Sequence, residues 1–246
     1  MHADAESNRL PHEFCTTRWT TVLKAKGGDS QRSEALESLC RTYWFPLYAF
    51  VRHKGKSPED SQDLVQGFFE QFLMKDYLAS VAQDKGRFRT FLLTSLTHFM
   101  ANEWDKTNRL KRGGGRQIFS IDALEAEERF KLEPADKGLG PDAAFDRAWA
   151  QTVVDAVFSR LRAEYARLGE ADRFELLNVS LMGGEAEGGY AEIGTKLGLS
   201  EGGIKTVVRR MRLRFRDLLR SELSETLAEG VEVDDEIRHL LVALKH

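Results

Sequence analysis

Four cations recur at helical spacing near the end of the chain. Lys205, Arg209, Arg212 and Arg216 follow one another at steps of four, three and four residues. That spacing places them on one face of a helix. A face of that kind suits a polyanion, because each phosphate oxygen accepts charge-assisted hydrogen bonds. Arg210 lies beside Arg209, and base edges and phosphates are both within the chemistry of these two residues. Gly202 and Gly203 stand just before the cations, with Thr206 between. Two glycines cost helix propensity, but they leave backbone N–H groups open to a phosphate at a helix start. The plain alternative is an Arg-rich face that is merely solvated.

Two further groups have chemistry in their spacing. Lys85-Gly-Arg-Phe-Arg-Thr-Phe91, with Asn102, Trp104 and Lys106 downstream, interleaves cations and aromatics. Arg87 and Arg89 would meet phosphates while flat rings take unstacked bases, the requirements of single-stranded nucleic acid. Burial of Phe88 and Phe91 with solvated cations is the competing reading. In Asp63-Leu-Val-Gln-Gly-Phe-Phe-Glu70, the polar residues Asp63, Gln66 and Glu70 share one helical face opposite an aromatic stripe. Such a strip docks a partner helix or is ordinary surface.

Catalytic groupings are not evident, and a non-enzymatic role without metal or cofactor is expected. The 6 histidines do not pair at metal-ligand spacing. No Gly-rich phosphate loop of the GxxxxGK[ST] form and no GxSxG elbow occurs. The two cysteines, Cys15 and Cys40, form no CxxC pair, which suits buried thiols in a reducing compartment. The start, Met1 to Asn8, lacks the apolar run of a secretory signal. No apolar stretch approaches the roughly 18 residues of a membrane span. A cytoplasmic location is therefore expected, without membrane contact.

The elements that must position these residues are helical. The 246-residue chain is 41% hydrophobic and 30% charged, so it can bury a core. Leu36, Leu39, Cys40, Tyr43, Trp44, Leu47 and Val51 form one helical stripe. Ser57-Pro-Glu-Asp60 opens the next helix, with Ser57 at the cap and Pro58 at the first position. Its stripe runs through Leu64, Val65, Phe68, Phe69, Phe72 and Leu73. A third helix is predicted from Phe88 to Trp104. Gln117 to Ile121 is the single weak strand signal. Lys106 to Arg116 is basic and holds three adjacent glycines, and Glu125 to Gly140 is acidic; both read as linker. Periodicity resumes at Trp149, Val153, Val157, Leu161 and Tyr165, followed by a helix near Arg173 to Leu181 and a loop at 183–189. Tyr190, Ile193 and Leu197 then share a helical face. Gly198 supplies the turn, Ser200 caps a second helix, and Ile204, Val208, Met211, Phe215 and Leu218 line its buried side. A helix, a glycine turn and a basic helix form the helix-turn-helix pattern.

The expected fold is all-α: two small helical domains joined by a flexible linker, the second containing the helix-turn-helix. The boundaries are an N-terminal segment at 1–35, a first domain at 36–106, a linker at 107–141, a second domain at 142–220 and an acidic extension at 221–246.

Taken in order, these blocks resemble bacterial RNA polymerase sigma factors of the extracytoplasmic-function type. Leu39 to Tyr48, Ser57 to Asp60, Asp63 to Gln66 and Phe88 to Leu92 look like that family's region two. Tyr190 to Ile193, Leu197 to Ser200 and Ile204 to Arg210 look like its region four. The resemblance implies a protein that binds core RNA polymerase, recognises promoter DNA and promotes strand opening for transcription initiation. Asp63, Leu64, Val65 and Gln66, with Glu70 on the same helix, would then dock on polymerase. Lys85, Arg87, Arg89, Asn102, Trp104 and Lys106 would engage the downstream, melted promoter element. Ser200, Gly202, Gly203, Lys205, Thr206, Arg209, Arg210 and Arg212 would hold the upstream element as duplex. An anti-sigma factor or other regulatory protein is a further implied partner. The alternatives are a helix-turn-helix transcriptional regulator that does not open promoters, or a sigma-like protein-interaction module. Gly67 departs from the pattern, since the family usually has Glu there.

Charge is unevenly placed within a formal total of −3. Ser200 to Arg220 holds seven Lys/Arg against two acids, and Ser221 to His246 holds two against seven. Local fields govern nucleic-acid contact. The opposite signs suggest that the acidic tail shields the Arg face of the preceding helix; packing of an amphipathic tail helix on the second domain is the simpler reading.

Overall fold

The structure, a computed structural model, describes residues 30–74, 87–107, 123–132, 138–184, 189–224, 227 and 231–245. Nine α-helices lie among them: α1 (Ser30–His53), α2 (Pro58–Met74), α3 (Phe88–Thr107), α4 (Ala123–Leu132), α5 (Pro141–Arg167), α6 (Ala171–Leu177), α7 (Gly189–Leu197), α8 (Glu201–Ser224) and α9 (Val233–Ala243). No strand occurs among the described residues, only an isolated antiparallel bridge between Arg87 and Leu227. The all-α expectation holds. The expected strand signal at 117–121 lies outside the described residues.

Local chemistry sets the helix starts. Ser57 Oγ accepts from the Asp60 N–H at 3.0 Å, and Pro58 begins α2. Glu59 and Asp60 lie in the first turn, where the helix dipole favours negative charge. Pro141 opens α5 in the same way, its missing N–H costing nothing at a first position.

Helix α5 is the spine of the molecule. Its 27 residues make a rod of about 40 Å at the usual helical rise. It packs against α1, the most extensive helix pair among the described residues, and its N-terminal part meets α9 through Trp149 and His239. Its C-terminal part carries α6 and α8, through Tyr165 against Phe174 and Phe158 against Phe215. Phe145, Ala148, Trp149, Ala150, Val153, Val157 and Leu161 are buried along it. The buried apolar side chains from α1 to α9 form one contiguous cluster.

Helix α1 departs from the simple stripe. Every residue from Tyr43 to Val51 is buried, including those between the stripe positions. A helix enclosed on all sides loses its polar face. Here α2, α3, α4 and α5 all pack around it. Trp44 stacks on Phe69, with ring centres 5.8 Å apart, and Phe88 meets Tyr43 edge-on at 5.2 Å. Each such ring, removed from water, stabilises the fold by about 1.5–3 kcal/mol.

Two local expectations are corrected. The acidic segment read wholly as linker contains α4, which buries Ala126 and lays Phe130 against Tyr48 and His53. The single helix expected near Arg173 to Leu181 ends as α6 at Leu177, and a 3-10 turn follows over Asn178–Met182. The turn is held by a tertiary contact: Arg212 of α8 donates from Nε and Nη2 to the Ser180 carbonyl at 3.0 and 2.6 Å.

Candidate nucleic-acid interface

The basic face rises from the turn between α7 and α8. Gly198 takes φ +66°, a left-handed value that glycine adopts without a Cβ clash. The Leu199 N–H donates back to the Gly194 carbonyl at 2.8 Å, closing α7. Ser200 Oγ then accepts from the Gly203 N–H at 3.1 Å and caps α8. Ile193, Ile204, Val208 and Met211 are buried where the two helices meet.

The cations leave this junction on the solvent side. Arg209, Arg210 and Arg216 are exposed, with no ion pair among the described residues. Lys205 pairs with Glu201 at 2.6 Å. That hydrogen bond holds the Glu201 carboxyl below its usual range, but both groups are fully exposed and such pairs open readily. Thr206 Oγ1 is turned back onto the Gly202 carbonyl at 2.9 Å. Gly202 is exposed and Gly203 half-buried at the helix start. Tyr190, Lys205, Arg209, Leu213 and Arg216 line a shallow groove of about 360 Å³. Arg212 also reaches this groove, but its guanidinium is committed to Ser180.

The arginines of α8 are all exposed, but several are engaged. Arg214 grips Glu164 of α5 with two bonds of 2.8 and 2.7 Å. The Arg214 hydrogen bond holds the Glu164 carboxyl below its ordinary value, against the opposing effect of burial. Arg220 pairs with Asp234 of α9. Among the described residues, this is the one α8 arginine that meets an acid of the C-terminal extension. The described residues of the acidic tail do not reach Arg209, Arg210 or Arg216, the face that the tail was expected to shield.

The α2 residues divide by depth. Asp63 is exposed, Leu64 is half-buried, and Val65 lies fully inside the core. Val65 thus supports the face from behind and touches no partner. Gln66 Nε2 donates to Glu70 Oε1 at 3.1 Å, one turn away. Asp63, Leu64 and Gly67 border a cleft of about 650 Å³ shared with Lys54, Phe99 and Glu103. A Cβ at Gly67 would make an ordinary contact with the Phe99 ring at 3.4 Å.

The α3 cations fall into unequal settings. Lys85 and the side chains of Trp104 and Lys106 lie outside the described residues. Asn102 is exposed. Arg87 is half-exposed and its Nε lies 2.6 Å from Glu236 Oε2 of α9. Arg89 is buried, which corrects its expected place on the surface. Its Nε donates to Glu236 Oε1 at 2.8 Å and its Nη1 to Asp146 Oδ1 at 2.5 Å. The guanidinium also lies over the Trp149 ring, 4.6 Å from its centre. His239 Nε2 stands 3.1 Å from Asp146 Oδ2 without the alignment of a hydrogen bond. One sequence signal pointed here: Glu236 shares an α9 face with Leu240 and Ala243, and an acid on an apolar face needs a buried partner.

No family model matches the chain, and no curated protein or solved structure matches it. Among the described residues, no group of three or more His, Cys, Asp or Glu side chains could hold a metal ion. No helix among them is long and apolar enough to cross a membrane.

Proposed function

We propose that this protein binds promoter DNA and serves as a sigma factor of the extracytoplasmic-function type. In this reading α7, the turn and α8 act as a helix-turn-helix, and α8 enters the major groove of the upstream element. One observation carries it: Arg209, Arg210 and Arg216 project from a helix that a tight, capped turn sets across α7, with no ion pair among the described residues. A major groove about 12 Å wide accepts a helix presenting such cations. Asp63, Leu64, Gln66 and Glu70 on α2 would dock on core RNA polymerase, and the end of α3 would meet the melted strand. The reaction needs no bond chemistry. Strand opening would be driven by binding the open state more tightly than the duplex.

Transcription in vitro with bacterial core RNA polymerase tests this. The expected result is promoter-specific initiation that is lost when Arg209 and Arg210 are both replaced by Ala. Asp63→Ala with Gln66→Ala should weaken capture of core polymerase and spare duplex binding. Neither initiation nor complex formation with core polymerase would remove the sigma reading. The burial of Arg89 and the pairing of Arg87 favour one second reading, a regulator that binds duplex and never opens it. It predicts a duplex gel shift without initiation.

A further inference from the structure

The C-terminal extension meets the downstream cations rather than the α8 face. Glu236 is 1% exposed, yet its Oε1 accepts from Arg89 and its Oε2 lies against both Arg87 and Arg89. A carboxylate bridging two guanidinium groups uses the hydrogen-bond pattern of a backbone phosphate. The placement is built from several sides. Leu227, buried just before α9, forms the isolated backbone bridge to Arg87. Leu240 and Ala243 seat α9 in the core. The His239 ring packs beside Trp149, the ring that also carries Arg89, at 6.2 Å between centres. Asp234 ties the start of α9 to Arg220 of α8. Two arginines thus face two carboxylates, Glu236 and Asp146, and the group is neutral as it stands. Removing Glu236 would leave Arg87 without this partner and Arg89 with Asp146 alone.

We propose that the C-terminal segment is a built-in competitor for nucleic acid: α9 holds Glu236 where a strand phosphate would lie on Arg87 and Arg89, and the free protein keeps that surface covered until α9 lifts. This rests on the sigma reading under the proposed function and extends its single-strand contact from the end of α3 to Arg87 and Arg89 at its start. It also explains how residues suited to a polyanion come to be hidden. Lifting α9 exposes Leu240 and Ala243 to water, so the covered state predominates unless something engages the arginines or the extension.

The test uses the full chain and a fluorescent single-stranded DNA 12-mer at low salt. Glu236→Gln keeps the side-chain size and removes the charge, and it should bind the strand about tenfold more tightly than the wild type, the scale of one charge-assisted contact. In the wild type, hydrogen exchange of amides 234–243 should accelerate when the 12-mer is added, because strand and α9 compete. This second measurement decides the matter if the variant fails to fold. Equal affinity, or α9 exchange that is unchanged at saturating strand, overturns the competitor while leaving strand binding intact. No binding by either protein, alone or with core polymerase, overturns the single-strand role and the competitor together.

Discussion

Gly194 lies against the carbonyl of Leu199. A Cβ on Gly194 would stand 2.5 Å from that oxygen, while the Leu199 N–H donates to the Gly194 carbonyl. The close approach lets the chain leave α7 and enter α8 within three residues. Gly194→Ala should force the turn apart at a cost of about 1–3 kcal/mol, as overpacking does. Thermal unfolding would show the lower midpoint. Duplex binding would fall further than stability alone explains, because the angle between α7 and α8 changes.

Gly202 gives the opposite case. A Cβ there meets only Ser200 Oγ, at 4.0 Å. Gly202→Ala should stabilise α8 by up to about 1 kcal/mol through helix propensity. If its backbone approaches a phosphate, duplex affinity falls while the unfolding midpoint rises. A rise in both quantities would remove the helix start from the DNA contact.

The arginines of α8 should separate into two kinds. Arg209→Ala and Arg216→Ala should each weaken duplex binding and reduce its salt dependence by about one unit of slope. Arg214→Ala should leave that slope nearly unchanged, because Arg214 is spent on Glu164. Its effect should be a small loss of stability, about 0.2–1 kcal/mol for a pair near solvent. Titrating binding against salt for the three variants checks the division.

Helix α4 hangs on Glu127. Tyr48 Oη donates to its carboxylate at 2.6 Å, and Arg52 donates from Nε and Nη2 at 3.2 and 3.3 Å. Burial opposes ionisation of Glu127, but the bonds from Tyr48 and Arg52 and the charges of Arg52 and Lys131 outweigh it. The carboxyl is therefore held below its ordinary 4.5. A lowered folded value adds stability above the ordinary one, and that stability is lost as pH falls through the folded one. Burial, and then the bond to Glu127, holds the Tyr48 hydroxyl above its ordinary 10.0. That contribution is present below pH 10 and lost as pH rises through the folded value. The protection of the α4 amides, measured relative to the intrinsic exchange rate at each pH, should thus stay high across neutral pH and fall at both extremes. Glu127→Gln should cost about 1–3 kcal/mol of local stability by removing the charged acceptor.

Much of the fold was legible because it is local. Ser57 and Pro58 start α2 by their own hydrogen-bonding and φ preferences, and Gly198 with Ser200 marks the turn before α8. Helical period placed Ile204, Val208 and Met211 inward and Arg209 outward. Helix α4 escaped notice because, among the described side chains, its apolar anchors are Ala126 and Phe130; much of its hold is polar, with Glu127 meeting Tyr48 and Arg52 and Arg129 reaching Phe45, Thr152 and Asp155 on distant helices. The hold on the 3-10 turn was equally hidden, since Arg212 lies 32 residues beyond the carbonyl it captures.

The sequence by itself determined the helical character, the caps and the polarity of each helix face, since these follow from neighbours within a turn or two. Only the tertiary structure decided which cations remain available. Arg209 and Arg89 carry the same charge, and each sits in a helix rich in apolar residues. Arg209 stands on the exposed side of α8, and no acid of another helix among the described residues pairs with it. Arg89 lies where α3, α5 and α9 converge, and Asp146 and Glu236 arrive there from positions 57 and 147 residues away. Charge complementarity over such separations is created by packing, and no local period announces it.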